Sequence, residues 1–462
     1  MRFDTIAAIA TAQGPAAVAI IRVSGPDALR IAERLFRNGA RQEPRVPLSA
    51  RASHQAHVGW LVDPATGQPV DQALVLVMRG PRSFTGEDVV EFQTHGGLAA
   101  TRTLELVLAQ GARLAAPGEF SKRAFLLGRL DLSQAEAIGD VVEAHGERAL
   151  AVALNQLEGR LSRQLAETRD QLVGLLARLE AAIDFPDEID DVGADEADRL
   201  LSDARRDLAA VLATAHEGQV LREGVGLALV GRPNAGKSSL LNALLGRERA
   251  IVTPVAGTTR DVLEESLMLG GVWYRIVDTA GIRATEDAVE AIGVARSQAA
   301  LAAADVVLLV CDLTAPIDER EHDLVAAARG KPLLVVANKA DTLSPGAAGA
   351  QALSALATLG PVCAVSALTG AGLDELGRRL SQQVQGAAPT QPAVAINARH
   401  RQCLAQAQHH LEQAHGSARA GMAADFLAID VKATIAALGE VTGDAITETV
   451  IEEVFRRFCV GK

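Results

Sequence analysis

The sequence predicts a multidomain chain of α/β and α+β class: an N-terminal α+β domain, then an all-α domain interrupted by an inserted, doubly wound and mostly parallel α/β domain. Three textures predict it. Residues 1–120 alternate short β-like runs with turn clusters. Residues 121–222, and those from 396 on, carry apolar side chains at three- and four-residue spacing. Residues 223–386 alternate strand-like and helix-like segments.

In the first segment, 18–23, 73–78 and 89–94 read as strands bounded by SGP, PATGQP and RGPRSFTGED, with helical stretches near 26–37 and 97–110. From LSQAEAIGDVV to LARLEAAI apolar residues then recur at three- and four-residue spacing over many helical turns. An acidic corner, DFPDEIDDVGADEAD at 184–198, separates it from the helix ADRLLSDARRDLAAVLATAHEG. Three more helices follow the α/β segment: NARHRQCLAQAQHHLEQAHG, FLAIDVKATIAALGEVTG and ITETVIEEVFRRF. LREG and GAAPTQPAV mark the two crossings into and out of the insertion. The expected divisions are 1–120, 121–222, 223–386 and 387–462, the last ending in FCVGK.

A length of 462 residues fits two to four domains. Hydrophobic residues at 48% and charged residues at 22% permit ordinary cores, and aromatics at 3% require those cores to be built from Ala, Val, Leu and Ile. A net charge of -12 argues against a protein that coats nucleic acid by charge alone, while leaving room for a local basic patch or for RNA shared with a basic partner. Cys311, Cys363, Cys403 and Cys459 form no CxxC pair, which argues against a zinc site or a disulfide framework. Cys311 and Cys363 lie in strand-like runs and are expected to be buried. Asp4 interrupts the opening apolar run, so the start reads as a strand pair rather than a signal peptide, and no apolar run approaches the ~18 residues of a membrane span. A cytoplasmic protein without membrane association is expected.

Residues Gly231 to Ser238, GRPNAGKS, fit GxxxxGK[ST] between an apolar strand, VGLALV, and a helix, SSLLNALLG. The loop of Asn234, Ala235 and Gly236, with Ser239 behind it, offers backbone N–H groups to phosphates at a helix N-terminus. Lys237 reaches the β- and γ-phosphates and Ser238 holds Mg²⁺. Asp278-Thr279-Ala280-Gly281 ends the strand WYRIVD; its Asp suits Mg²⁺ through water and its Gly N–H suits the γ-phosphate. Asn338-Lys339-Ala340-Asp341 ends PLLVVA. The Asp341 carboxylate can accept two hydrogen bonds from the N1–H and exocyclic amine of guanine, a donor pair that adenine lacks. Ser366-Ala367-Leu368 ends PVCAVS and offers a backbone N–H to the guanine carbonyl. All four motifs sit at C-terminal strand ends, where open α/β sheets bind ligands. The composition of Pro254, Val255, Ala256, Gly257, Thr258 and Thr259 is that of a switch loop, with two hydroxyls available to Mg²⁺ and the γ-phosphate. Together these residues point to a GTP-hydrolysing domain. Ile282 stands where Ras-type enzymes carry a water-orienting Gln, so hydrolysis needs another group; Arg283, Glu286 and Glu290 are the nearby ionisable residues.

GRPNAGKSSLLNAL, IVTPVAGTTRD, DTAGIR and NKAD resemble the translation-factor-like GTPases of the Era and Der type. TIAAIAT, AVAIIRVSG, GPRSFTGEDVVEFQTHGG, APGEFSKRAFLLGRLDLSQAEAI, AAIDFPDE and FCVGK narrow the resemblance, over essentially the whole chain, to the MnmE (TrmE) family of tRNA modification GTPases. The resemblance implies a folate-binding-like N-terminal domain that also forms a homodimer. It implies partnership with MnmG, an FAD protein, in a heterotetramer or larger complex. It also implies installation of an aminomethyl or carboxymethylaminomethyl group on C5 of the wobble uridine of certain tRNAs, the carbon coming from 5-formyl-tetrahydrofolate or a related derivative. It implies K⁺ beside the phosphates in place of an arginine finger, held by the Asn234 side chain, the Thr253 and Val255 carbonyls and Thr258. Thr259 is then the Mg²⁺ ligand and Glu290 the water-orienting acid. The matching folate positions are Arg22, Glu91, Arg129 and Lys462; the family often carries Lys where this chain has Arg129, which keeps the charge and changes the donor geometry. Cys459 reads equally as a working thiol or a terminal anchor. The alternatives are an Era- or Der-like switch in ribosome assembly, without substrate chemistry, and a folate-dependent methyltransferase with a regulatory G domain. No GxxG loop in an α/β setting supports the switch.

Overall fold

The computed structural model describes residues 3–12, 14–38, 47–188, 192–215, 218, 224–247, 266–277, 298–342, 347–385, 394, 396–456 and 458–461. Period-two burial builds the first domain. β1 (Ile6–Ile9), β2 (Ala19–Ser24), β3 (Phe36–Arg37), β4 (Gln55–Val62), β5 (Pro69–Met78), β6 (Val89–Thr94) and β7 (Arg113–Leu114) form, among the described residues, one sheet in the order β3-β4-β5-β6-β2-β1-β7. Neighbours pair antiparallel except β7, which joins β1 in parallel. Ala19, Ile21 and Val23 turn to the core under α1 (Ala28–Leu35) and α2 (Leu98–Ala109), so Arg22 points to the other face. That face is covered over β1 by Phe120 and Phe84 and open over β4 and β5, where the paired Val58 and Leu74 are 64% and 39% exposed.

The helical texture of 121–222 resolves into several helices. It divides into α3 (Glu119–Leu126), α4 (Leu132–Glu143), α5 (Glu147–Leu157) and α6 (Arg160–Asp184), followed by α7 (Ala194–Ala213). One break falls at Gly159, whose φ of +78° ends the preceding right-handed turn; another falls at Ala144, where the backbone leaves the helix at φ -59°, ψ 121°, two residues before Gly146 caps the start of α5. α4 starts on a capping box, in which Asp131 accepts from the Gln134 N–H and the Gln134 side chain accepts from the Asp131 N–H.

The inserted domain carries β8 (Val225–Val230), α8 (Lys237–Arg247), β9 (Ser266–Leu269), β10 (Val272–Val277), β11 (Val306–Asp312), α9 (Glu319–Ala327), β12 (Leu333–Asn338), α10 (Ala347–Leu356), β13 (Val362–Ala364) and α11 (Leu373–Gln385). The sheet order is β13-β12-β11-β8-β10-β9, parallel except for the β9–β10 hairpin. Val225, Leu227 and Leu229 pack on one side with α8 and α11, and Ala228 and Val230 on the other with Leu301, Ala328 and Leu356. Burial on both faces explains why the strands read as continuous apolar runs. Cys311 and Cys363 are buried here, as expected, and burial pushes the Cys311 thiol up to about 12.

The chain then returns to helices: α12 (Ala398–Arg419), α13 (Ala424–Thr442) and α14 (Glu448–Arg456). Leu161, Leu165, Leu172, Leu175 and Leu179 of α6 share one core with Leu201 and Leu208 of α7, Leu404 and Leu411 of α12, and Val431 and Leu438 of α13. Each fully buried Leu contributes about 1.5–3 kcal/mol relative to exposure. Segments on both sides of the insertion therefore make a single core. Glu136 of α4 ties the halves further, lying 2.8 Å from Arg399 and 2.6 Å from His400 of α12. α14 sets Ile451 and Phe455 against Leu132 and Ala135 of α4. Beyond it the chain turns back to the first sheet. The Gly118 N–H donates to the Cys459 carbonyl at 3.3 Å, and Gly461, at φ +99°, lies so close that a Cβ there would meet the Ile9 carbonyl at 2.4 Å.

Candidate nucleotide-binding site

The phosphate loop leaves β8 at Gly231, where a Cβ would meet the Val310 carbonyl of β11 at 2.2 Å. It ends at Gly236, where a Cβ would meet Asn338 Nδ2 at the same distance, 2.2 Å. Both glycines are thus demanded by contact as well as by positive φ. Lys237 opens α8, half-buried, and its Nζ donates to the Gly231 and Arg232 carbonyls at 2.8 and 2.7 Å. Burial lowers its pKa, yet the carbonyls hold the ammonium at the loop mouth. Asn234 is exposed at φ +63°, and Ser238 and Ser239 are exposed on the first turn of α8. Loop amides, helix N-terminus and ammonium together suit a polyphosphate.

Asn338, 2% exposed, links the loops on the other side of the phosphate loop. Its Nδ2 donates to the Ala235 carbonyl at 2.9 Å, and its Oδ1 accepts from the Ala367 N–H at 3.2 Å. One side chain thereby pins the phosphate loop to the loop after β13. Ser366 Oγ donates to Asp341 Oδ1 at 2.5 Å, which orients that carboxylate, and Leu368 stands 86% exposed in the same loop as Ser366. Lys339 Nζ donates to Asp312 Oδ2 at 2.6 Å. Burial would raise the Asp312 pKa, but hydrogen bonds from Lys339 and Thr314 outweigh it and hold the carboxyl below its ordinary value. Asp312, Ser366 as orienter and Arg232 were not singled out from the sequence; a polar residue closing an apolar strand, as in CDLT, was the available signal for Asp312.

Thr253, Pro254, Val255, Ala256, Gly257, Thr258, Thr259, Asp278, Thr279, Ala280, Gly281, Glu290 and Lys462 lie outside the described residues. Among the described residues no cluster of three or more His, Cys, Asp or Glu is arranged to hold a metal ion.

The other predicted residues gather at the N-terminal sheet. Arg22 Nε lies 2.8 Å from Glu91 Oε1, and its guanidinium lies over the rings of Phe84 and Phe120 at 5.1 and 5.6 Å. Arg129, exposed, donates from Nε to the Ser83 carbonyl at 3.1 Å, next to Phe84. The structure therefore brings Arg22, Glu91 and Arg129 around one loop. Cys459 is half-buried where the returning C-terminal segment meets Gly118.

Two family models match, one described as the GTP-binding protein TrmE N-terminus over residues 5–129 and one as the MnmE helical domain over 132–459. The chain is 46% identical to the tRNA modification GTPase MnmE of Moorella thermoacetica, covering 99% of each chain. It is 45% identical to that of Geobacillus thermodenitrificans, over 100% of this chain and 99% of the relative, and 46% identical to that of Symbiobacterium thermophilum, over 99% of each. With the motifs in sequence, an N-terminal and a helical domain matched, and near-complete coverage at these identities, the chain belongs to the MnmE (TrmE) family of tRNA modification GTPases.

Proposed function

We propose that this chain hydrolyses GTP and, with an MnmG-type FAD protein, installs an aminomethyl or carboxymethylaminomethyl group on C5 of the wobble uridine of certain tRNAs. The observation that carries the reading is the Asn338 bridge: it gathers phosphate loop, Asp341 loop and Ala367 loop into one site at the ends of parallel strands. In this reading Lys237 neutralises the β- and γ-phosphates, and Ser238 and Thr259 hold Mg²⁺. Asp341 reads guanine, and the Ala367 N–H moves from Asn338 to the base carbonyl. Asn234, with Thr253, Val255 and Thr258, holds K⁺, and Glu290 orients the attacking water. The exposed Asn234 amide suits a weakly hydrated monovalent cation, which takes uncharged oxygens.

The same proposal gives the Arg22, Glu91 and Arg129 cluster, with Lys462, a tetrahydrofolate derivative that supplies the one-carbon unit when bound. Glu91 suits the amine edge of a pterin, the arginines suit the carboxylate tail, and Phe84 and Phe120 offer apolar surface. Cys459, whose carbonyl accepts from the Gly118 N–H, is a candidate thiol in this reading. The open sheet face at Val58 and Leu74 supports a homodimer through the N-terminal domain. The divisions 1–120, 121–222, 223–386 and 387–462 are our reading, supported by β8 opening at Val225 and α11 ending at Gln385. No helix among the described residues is long and apolar enough to cross a membrane, and we place the activity in the cytoplasm. Mass spectrometry of wobble uridines from cells lacking this chain tests the proposal. Loss of the C5 substituent, restored by the chain itself, is expected; an unchanged nucleoside profile overturns it.

A further inference from the structure

Arg232 is held by a neighbouring element rather than by its own loop. Its NH1 donates to the Pro316 carbonyl at 3.1 Å, its NH2 lies 3.4 Å from Asp318 Oδ2, and its Nε lies 3.7 Å from Glu321 Oε1. Asp318 and Glu321 are the two halves of the capping box that starts α9: Asp318 accepts from the Arg320 N–H, and Glu321 Oε2 accepts from the Asp318 N–H at 3.0 Å. Glu321 is 4% exposed, so its carboxylate is fixed by packing as well as by the cap.

The backbone of Arg232 starts a tight turn. The Ala235 N–H donates to the Arg232 carbonyl at 3.3 Å across Pro233 and Asn234, and Asn234 adopts φ +63°. Proline at the second position and a left-handed residue at the third are the signature of a type II turn, a conformation Asn tolerates. That same Arg232 carbonyl accepts from Lys237 Nζ at 2.7 Å. Gly231 is wedged on Val310 and Gly236 on Asn338, so both ends of the loop are fixed while its apex, with Pro233 and Asn234 exposed, projects outward. A tether on the first residue of the turn decides how that apex tilts.

We propose that Arg232 is a positioning residue for GTP hydrolysis, fastening the turn to the start of α9 and so fixing where Asn234 presents its side chain to the phosphates. The inference rests on the reading of this site as a GTPase with Asn234 as a cation ligand. Asn234 displaced by about 1 Å costs on the order of 10- to 100-fold in turnover when the group acts in the transition state. Binding is spared, because Lys237 is also anchored on the wedged Gly231 carbonyl, and the α8 amides and Asp341 do not depend on the apex.

The experiment compares the full chain with Arg232→Met, Arg232→Lys and Asp318→Asn. Steady-state GTP turnover is measured across a KCl titration balanced with NaCl, with GDP affinity and Tm measured on the same preparations. For Arg232→Met the expectation is turnover down by about tenfold or more, a higher half-saturating K⁺ concentration, and GDP affinity within about threefold. Arg232→Lys recovers part of the loss, since it can pair with Asp318 but cannot also reach Pro316; Asp318→Asn falls between. Arg232→Met turning over like the parent at every K⁺ concentration overturns the inference. So does a loss shared equally by turnover, GDP affinity and Tm, which marks a merely structural residue. Equal parent rates in K⁺ and Na⁺ overturn the cation reading of Asn234 instead; turnover of Arg232→Met at saturating GTP then decides the positioning role by itself.

Discussion

Nε of Arg22 lies 2.8 Å from Oε1 of Glu91 across the rung of the β2–β6 ladder where the two residues are direct partners. The pair is mostly shielded, at 20% and 11% side-chain exposure, so each charge relies on the other. Arg22→Met should leave the Glu91 carboxylate without its cation and cost about 1–3 kcal/mol locally. Hydrogen-exchange mass spectrometry should show faster exchange in β2 and β6, and a smaller effect for Glu91→Gln, whose amide oxygen still accepts from Arg22. Unchanged exchange in both strands for Arg22→Met would count against a pair that holds the sheet.

The base side makes a sharper demand. Asp341→Asn should weaken GTP binding about a hundredfold, because a charge-assisted pair of bonds to guanine is lost, and should improve xanthosine triphosphate binding. A direct titration with both nucleotides checks it; equal GTP affinity in parent and variant refutes the assignment.

Acid should act on the junction of the helical halves. Burial alone would raise the Glu136 pKa, but the His400 charge and hydrogen bonds from His400 and Arg399 outweigh it and hold the carboxyl well below its ordinary value of 4.5. A carboxyl depressed in the folded state contributes stability that is complete above the unfolded value and is lost as pH falls toward the folded one. Thermal stability of the full chain should therefore decline steeply below about pH 4.5, and Glu136→Gln should flatten that decline while lowering stability at pH 7. A parent and a variant with parallel acid profiles would remove Glu136 from the account.

The returning C-terminal segment can be tested without touching its thiol. Gly461→Ala places a methyl against the Ile9 carbonyl in a backbone conformation that strains any L side chain, so it should undock the segment. Wobble-uridine modification should be lost with intrinsic GTP turnover nearly intact, and Cys459→Ser should behave likewise if the thiol works chemically. Full modification by Cys459→Ser excludes a required thiol. Parallel loss of modification, turnover and Tm by that variant makes Cys459 a packing anchor.

The nucleotide loops are legible in sequence because each is a contiguous motif closing an apolar strand. The insertion is legible because two helical textures flank a strand–helix alternation. What depends on distant partners is not. Arg232 meets Pro316, 84 positions away, and nothing local in GRPN announces it. Arg22 and Glu91 can each be matched to a ligand, but their pairing needs the β2–β6 register. The break at Gly159 escapes a periodicity reading because a glycine can also sit inside a helix, and only the realised φ decides. β4 is obscured by polar residues at its start and by Gly59, whose absent Cβ admits the Phe36 ring.

The shared core of α6, α7, α12 and α13 also fixes an order of events during synthesis. Arg399 meets Glu136 across 263 positions, and α12 brings its leucines to the same core. At about 5–20 residues per second, the apolar stripes of α6 and α7 wait on the order of 10–50 s for the helices that cover them. The inserted sheet has its own two-sided core and can close within that interval. The nascent chain therefore carries a finished nucleotide domain beside a half-built, sticky one, and it is this waiting pair of helices that a ribosome-bound chaperone would need to shield.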